Sequence, residues 1–220
     1  MNETRPVTDH AADLSVLSRI LPVSRETGER LARYVAVLRR WQPAQNLVSP
    51  ATLDAVWTRH IADSAQLAAL FPDIRTWVDL GSGAGLPGLI TAILLADQPG
   101  AKVVCVESNQ RKCAFLRAAI RETGAAADVR DGRIESVLKQ WDAPVEMISA
   151  RALASFSKLL DLSEPLLSRG VTAAFHKGED FEAELHEASQ SWDLDLVRHE
   201  SLIDPRSAII EVRRAMRRKR

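Results

Sequence analysis

The 220-residue chain has little of several things that usually announce a function. It carries no excess charge: 29 basic side chains balance 29 acidic ones. That argues against a polycation held to nucleic acid by bulk charge, and any such partner must be met by a local patch. Cysteine is scarce, with only Cys105 and Cys113 and neither a CxxC pair nor a histidine cluster nearby. A metal centre and a disulfide scaffold are therefore not expected, and both thiols read as reduced packing residues. The longest apolar stretch, Leu86 to Ala96, is far short of the roughly 20 residues that cross a bilayer. The first fourteen residues carry Glu3, Asp9 and Asp13 and no apolar segment, which does not fit a secretory signal. The expectation is a soluble cytoplasmic protein with no membrane association. At 5% of the chain, aromatic residues are too few to supply the stacking platforms of general single-strand binders.

What is present is a change of pattern near residue 75. Before it the chain reads as helical. Leu14, Leu17 and Ile20/Leu21 make a short apolar stripe, and Leu31, Tyr34/Val35, Leu38 and Trp41 a longer one. Ser49 followed by Pro50 reads as the cap and first position of a third helix, with Leu53, Val56/Trp57, Ile61, Ser64, Leu67 and Phe71 near one face. From Thr76 onward, short β-branched runs alternate with helical segments, the signature of parallel βαβ units. Strands are expected near 76–80, 102–106, 127–130, 145–149, 171–176, 194–200 and 208–213. Helices are expected near 87–97, 109–123, 133–140, 155–168 and 179–191, with Gly124 and Gly170 as stops and Pro165 as a potential kink. The predicted fold is α/β, a Rossmann-like, seven-stranded, mostly parallel sheet with helices on both faces. An N-terminal helical extension (1–74) packs on a core domain (75–220).

The stretch "VDLGSGAGLPG", Val78 to Gly88, follows a buried-type strand and leads into a helix. Its backbone N–H groups should face a ligand at the strand's carboxyl end. Gly81, Gly83 and Gly85 remove Cβ atoms where the backbone must turn tightly, and Pro87 can open the helix. Asp79 stands two positions before the first glycine. An acid there would not help to bind a pyrophosphate, but it suits S-adenosylmethionine, which carries a sulfonium and an ammonium. Glu107, at the end of "VVCVE", can accept both ribose hydroxyls of such a cofactor. The spacing thus predicts S-adenosylmethionine bound by Asp79, the glycines and Glu107.

The acceptor is read largely from what is missing. An exocyclic amine of a base would call for an Asn/Asp-Pro-Pro-aromatic turn after the fourth strand, where this chain reads "MISARALAS". Carbon-5 of a pyrimidine would need a cysteine nucleophile, and neither cysteine lies where an acceptor should enter. Oxygen and carbon acids would need a general base, and no compelling one is evident. Guanine N7 has a free lone pair and needs no such machinery.

"RWQPAQNLVSP", "TRHIADSAQL", "VDLGSGAGLPGLI", "ESNQRKCAFLR", "ISARALAS" and "FHKG", running in order from Arg40 to Gly178, together resemble the bacterial ribosomal small subunit methyltransferase G family, also called glucose-inhibited division protein B. The resemblance implies methyl transfer from S-adenosylmethionine to N7 of one guanine in the decoding region of 16S rRNA. It also implies cofactor contacts from Gly81 and Leu86, and from Ile134 and Glu135 flanking the adenine. Arg151 is implied at the junction of cofactor and acceptor. Asn46, Arg59, His60, Asp63, Ser64 and Lys177 match family blocks, with Asn46, Arg59, His60 and Lys177 as candidate RNA contacts. Arg151 and Lys177, at the ends of neighbouring strands, are the candidate catalytic residues, suited to a phosphate or guanine O6. Arg59 and Asp63 could instead simply pair along a helix, and His60 could be structural. The partner is 16S rRNA or the small ribosomal subunit particle, met by a monomer and recognised as a preformed shape. The tail "RRAMRRKR" is either solvated or a grip on phosphate. A methyltransferase for a small molecule or protein, and a non-catalytic RNA-binding assembly module, stay open as alternatives.

Overall fold

The computed structural model describes residues 15–218. The short stripe that begins at Leu14 therefore lies partly outside the described residues, and only one helical turn, 15–17, precedes the first long helix. That helix, α1 (Arg25–Gln45), starts where the Ser24 side chain accepts the N–H of Thr27 and stops at Asn46, whose left-handed backbone (φ 46°) returns its N–H to Gln42. α1 buries the expected stripe of Leu31, Tyr34, Val35 and Leu38.

The expected third helix is corrected. Ser49 makes no side-chain cap, and Pro50–Thr52 forms only a 3-10 turn. A π-helix then runs over Trp57–Ala62 and passes into α2 (Asp63–Leu70). The wide turn rotates successive residues differently from an α-helix, so Arg59 and Asp63 do not pair with one another. Arg59 reaches Asp204 and Asp63 reaches Arg151.

The remaining elements are β1 (Thr76–Leu80), α3 (Gly88–Leu94), β2 (Lys102–Glu107), α4 (Gln110–Thr123), β3 (Ala127–Asp131), α5 (Ile134–Lys139), β4 (Met147–Arg151), α6 (Phe156–Leu167), β5 (Thr172–Lys177), α7 (Phe181–Ser189), β6 (Trp192–Glu200) and β7 (Ala208–Arg217). They form one seven-stranded sheet in the order β3-β2-β1-β4-β5-β7-β6. All pairings are parallel except those of β7, which runs antiparallel to both of its neighbours. The order reverses between β1 and β4, where a doubly wound sheet opens a crevice at its strand ends. α6 runs on through Pro165 for two further residues. α4 ends at Gly124 as expected, with φ 66°.

Two apolar layers sandwich the sheet. One gathers α1, α3 and α4 with Trp77, Val103 and Cys105; the other gathers α6, Phe175, Phe181 and Trp192 with Val78, Val104 and Ile148. Alternate residues of β1 and β2 thus face opposite layers, as the pleat dictates. The N-terminal helices share the first layer with the core. Tyr34 in α1 is fully buried and donates its hydroxyl to the Ala84 carbonyl (2.6 Å), clamping the glycine turn from above. Tyr34→Phe is expected to cost about 1–2 kcal/mol by orphaning that carbonyl, and to weaken ligand binding at the turn. Thermal unfolding with and without ligand checks both effects.

Candidate active site

Two cavities adjoin at the switch point, and Ala152 and Ala154 line both. The first is a cleft of about 380 Å³ at the ends of β1 and β2, bounded by Gly81, Glu107, Lys112, Arg133, Ile134, Glu135 and Leu153 among others. The second, of about 340 Å³, lies at the ends of β4 and β5, between the π-helix and the loop joining β6 to β7. Its polar lining is Thr52, Arg59, His60, Asp63, Arg151, His176, Lys177, Asp204 and Ser207. Ala152, between the two, holds a left-handed backbone (φ 51°), a strained conformation for a side-chain-bearing residue.

The glycine turn supports the cleft more than it lines it. Gly81, Gly83 and Gly85 all adopt positive φ (63°, 55° and 82°), which favours glycine at each. Of the three, only Gly81 borders the cleft. At Gly83 a Cβ would meet no protein atom nearer than the Gly81 carbonyl at 3.7 Å, so within the chain itself the constraint is φ. Leu86, expected at the cofactor, is buried in the α1/α3 apolar layer and does not line the cleft.

Asp79 is sealed beneath the turn. One carboxylate oxygen accepts the Ser149 hydroxyl (2.7 Å); the other lies against Gly88 with no hydrogen-bond partner of normal geometry. Burial raises its pKa to about 6. Glu107 braces the turn, accepting the N–H of Gly83 (2.9 Å) on one oxygen and that of Asn109 (2.8 Å) on the other. A carboxylate oxygen has two lone pairs, so each keeps capacity toward the cleft. Ile134 and Glu135 both line the cleft at the start of α5, with Glu135 near Lys158. Cys105 and Cys113 are buried free thiols whose pKa values are raised by burial, as packing residues should be.

In the second cavity the expected cations are all charge-paired. Arg151 donates to Asp63 (2.7 Å), the Arg59 carbonyl (3.3 Å) and His60 Nδ1 (2.9 Å). It lines this cavity alone, so it borders the cofactor cleft only through Ala152. With His60 Nδ1 accepting, its Nε2–H faces Thr52 Oγ1 (2.8 Å), whose own hydroxyl donates to the Ser49 carbonyl. His60 is therefore a fully partnered, neutral imidazole; burial and Arg151 lower its pKa to about 4. Lys177 pairs with Glu184 and donates to the Ala154 carbonyl. Arg59 pairs with Asp204, whose pKa is lowered to about 2 by Arg206 and by Arg59. Asn46 is absent from the site: it caps α1 and borders a separate hollow with Arg111 and Lys112.

Four polar side chains of this cavity escaped individual prediction: Thr52, His176, Asp204 and Ser207. His176 faces Arg151 across the β4–β5 register and hydrogen-bonds the Asp63 carbonyl (3.1 Å). Its position before Lys177 in "FHKG" was the available signal. Burial lowers its pKa.

These groups oppose one another in pH dependence. Asp79, raised from 3.8 to about 6, contributes stability that is complete below pH 3.8 and lost as pH rises to 6. His60, lowered from 6.5 to about 4, contributes stability complete above pH 6.5 and lost as pH falls to 4. Each is worth about 3 kcal/mol by linkage. Over this window the two largely offset one another, leaving the rise that His176 adds. Relative to the intact protein, His60→Gln should tilt the stability profile from pH 4 to 6 downward with rising pH and Asp79→Asn should tilt it upward; denaturant titrations at stepped pH check both.

Known proteins resemble this chain closely. The family model for rRNA small subunit methyltransferase G matches residues 27–208. Among curated relatives named ribosomal RNA small subunit methyltransferase G, one from Methylobacterium radiotolerans is 53% identical over 192 residues, covering 86% of this chain and 89% of its own. A Bradyrhizobium sp. relative is 50% identical over 185 residues (84% and 83%), and one from Rhodopseudomonas palustris is 45% identical over 98% of this chain and 93% of its own. Solved structures share the fold: a Bacillus cereus O-methyltransferase in complex with SAH superposes with TM-score 0.56 at 15% identity, covering 93% of this chain and 97% of that one. A Streptomyces achromogenes O-methyltransferase in complex with SAM gives 0.57 at 12% identity, covering 93% and 96%.

Proposed function

The chain belongs to the rRNA small subunit methyltransferase G family, and from that premise we propose that it methylates N7 of one guanine in the decoding region of 16S rRNA. S-adenosylmethionine would supply the methyl group, carried on a sulfonium. The observation that carries this reading is the pair of adjoining cavities at the switch point, one suited to that cofactor and the other walled by paired cations.

In the cleft, Glu107 holds lone pairs toward the space and Gly81 brings bare backbone to its edge, with Ile134 and Glu135 opposite. Asp79, sealed beneath the turn and outside the cleft lining, would act by bracing the turn rather than by touching the ligand. In the acceptor cavity, Asp63 is bound to Arg151, Asp204 stays ionised but paired, and His60 already uses its lone pair. None of these three is a ready proton acceptor, and the unpartnered Nδ1 of His176 is buried, which suits a nucleophile that has no proton to lose. Arg151 and Lys177 would orient the purine or an adjoining phosphate, and Arg59 and His60 would shape its entrance. Catalysis then rests on positioning the ring nitrogen in line with the methyl group and excluding water.

The working form is read as a cytoplasmic monomer acting on a structured ribosomal particle. No helix among the described residues is long and apolar enough to cross a membrane. The test is S-adenosylhomocysteine formation by the pure protein: it should appear only when small ribosomal subunits or 16S rRNA are added. Equal turnover with small phenols or with protein alone would overturn the reading.

A further inference from the structure

We propose that the rRNA backbone outside the target nucleotide runs along the α4/β3 edge of the sheet, where Arg111, Lys112, Arg121, Arg130 and Arg133 make a phosphate track beside the cofactor cleft. The proposal rests on the rRNA reading above. Its starting point is which cations the fold has already used. Arg30, Arg40, Arg59, Lys102, Arg151, Lys177, Arg198 and Arg206 all have carboxylate partners. So do the described arginines of the basic C-terminal run: Arg213 with Glu211, Arg214 with Asp193, and Arg217 with Asp161 and Glu164. Arg218 donates to the Trp192 carbonyl, while Lys219 and Arg220 lie outside the described residues. The tail that looked most like an RNA grip in the sequence is therefore largely neutralised by its own neighbours.

The α4/β3 edge differs. Among the described residues, none of the five track cations has a carboxylate within ion-pair distance, and Arg111, Arg121, Arg130 and Arg133 are exposed. Arg130 lies over the Trp141 ring, 5.0 Å from its centroid, a contact that steadies the guanidinium without spending its charge. They border three hollows, two of which adjoin. Arg111 and Lys112 border one with Asn46 and Asn109; Lys112 and Arg133 border the cofactor cleft itself; Arg121 and Arg130, with Arg117, border the third. Lys112 joins the first hollow to the cleft, so the track leads to the site rather than away from it. β3 is an edge strand, leaving this side of the molecule open.

A neutral protein can meet a polyanion in this way because cations not held by a carboxylate are free to displace counterions. Arginines on a rigid helix and strand suit phosphate oxygens, which they contact bidentately.

The test uses the full chain, small ribosomal subunits from a strain lacking the protein, and the double variant Arg111→Gln/Arg121→Gln, which changes no residue that lines the cofactor cleft. Arg213→Gln/Arg214→Gln serves as the control. Each phosphate contact contributes about 0.7–0.9 to the slope of log affinity against log salt. The first variant should lower that slope by about 1.4–1.8 and raise KM for subunits about tenfold, with kcat, cofactor affinity and melting temperature unchanged; the control should change none of these. An unchanged slope in the first variant, or an equal loss in the control, would overturn the track. Tight, salt-dependent binding without methylation would count against the function proposed above while the slope comparison still decided the track.

Discussion

Gly88→Ala is expected to destabilise the protein by about 3 kcal/mol, the upper range for overpacking a dense interior, and to lower its melting temperature by roughly 6–12 °C. A Cβ at Gly88 would stand 2.4 Å from Asp79 Cβ, 2.6 Å from its Cγ and 2.7 Å from its Oδ2. None of these can retreat. Asp79 lies inside β1, flanked by β2 and β4, and its carboxylate is tied to Ser149. α3 would have to lift off the sheet, yet Leu89, Ile90, Ala92 and Ile93 in it are all fully buried. Truncating Asp79 to alanine would not relieve the collision, because the nearest contact is the Cβ that alanine keeps. Gly100→Ala is the informative contrast: φ is also positive (77°) but the space is open, so only the backbone strain of about 1 kcal/mol should appear. Thermal unfolding of the two variants side by side checks the difference. Equal melting temperatures would mean that α3 and β1 tolerate a larger separation than the structure has.

Arg151→Ala should lower single-turnover methyl transfer by about a hundredfold, the scale of a misplaced reacting group, while cofactor affinity stays close to normal. The side chain lines the acceptor cavity and not the cofactor cleft. Its loss strands the Asp63 carboxylate and the His60 lone pair together, a stability cost of about 2 kcal/mol for a pair that is mostly but not wholly buried. Arg151→Lys retains the charge but cannot reach Asp63, His60 and the Arg59 carbonyl at once, so it should recover stability more than turnover. Rapid-quench measurement at saturating cofactor separates the two. An unchanged single-turnover rate in the alanine variant would remove Arg151 from the chemistry and leave it a structural tie.

Local chemistry made parts of this molecule legible. The strand–glycine turn–helix unit, the acid closing β2 and the Gly124 stop each follow from backbone rules acting over a few residues, and the alternation of strands and helices follows from periodicity. Gly88 was passed over although a glycine inside a helix is itself a signal; its reason, Asp79, lies nine positions back across a strand-to-helix packing contact. The misread segment is 57–62, where apolar spacing fits an α-helix and the extra π turn is not encoded locally. Its consequence is large, because Arg59, His60 and Asp63 find partners in Asp204 and Arg151, roughly a hundred residues away. Whether a charged side chain is spent or free is likewise a tertiary fact. That is why the basic tail looked available and the α4/β3 edge did not.

The central claim is most directly tested by incubating the protein with methyl-labelled S-adenosylmethionine and small subunits from a strain lacking it, then mapping N7-methylguanine in 16S rRNA by chemical strand scission. Label at a single guanine in the decoding region is the expected result. Label at another atom, at scattered guanines, or on no RNA at all despite tight cofactor binding would contradict it.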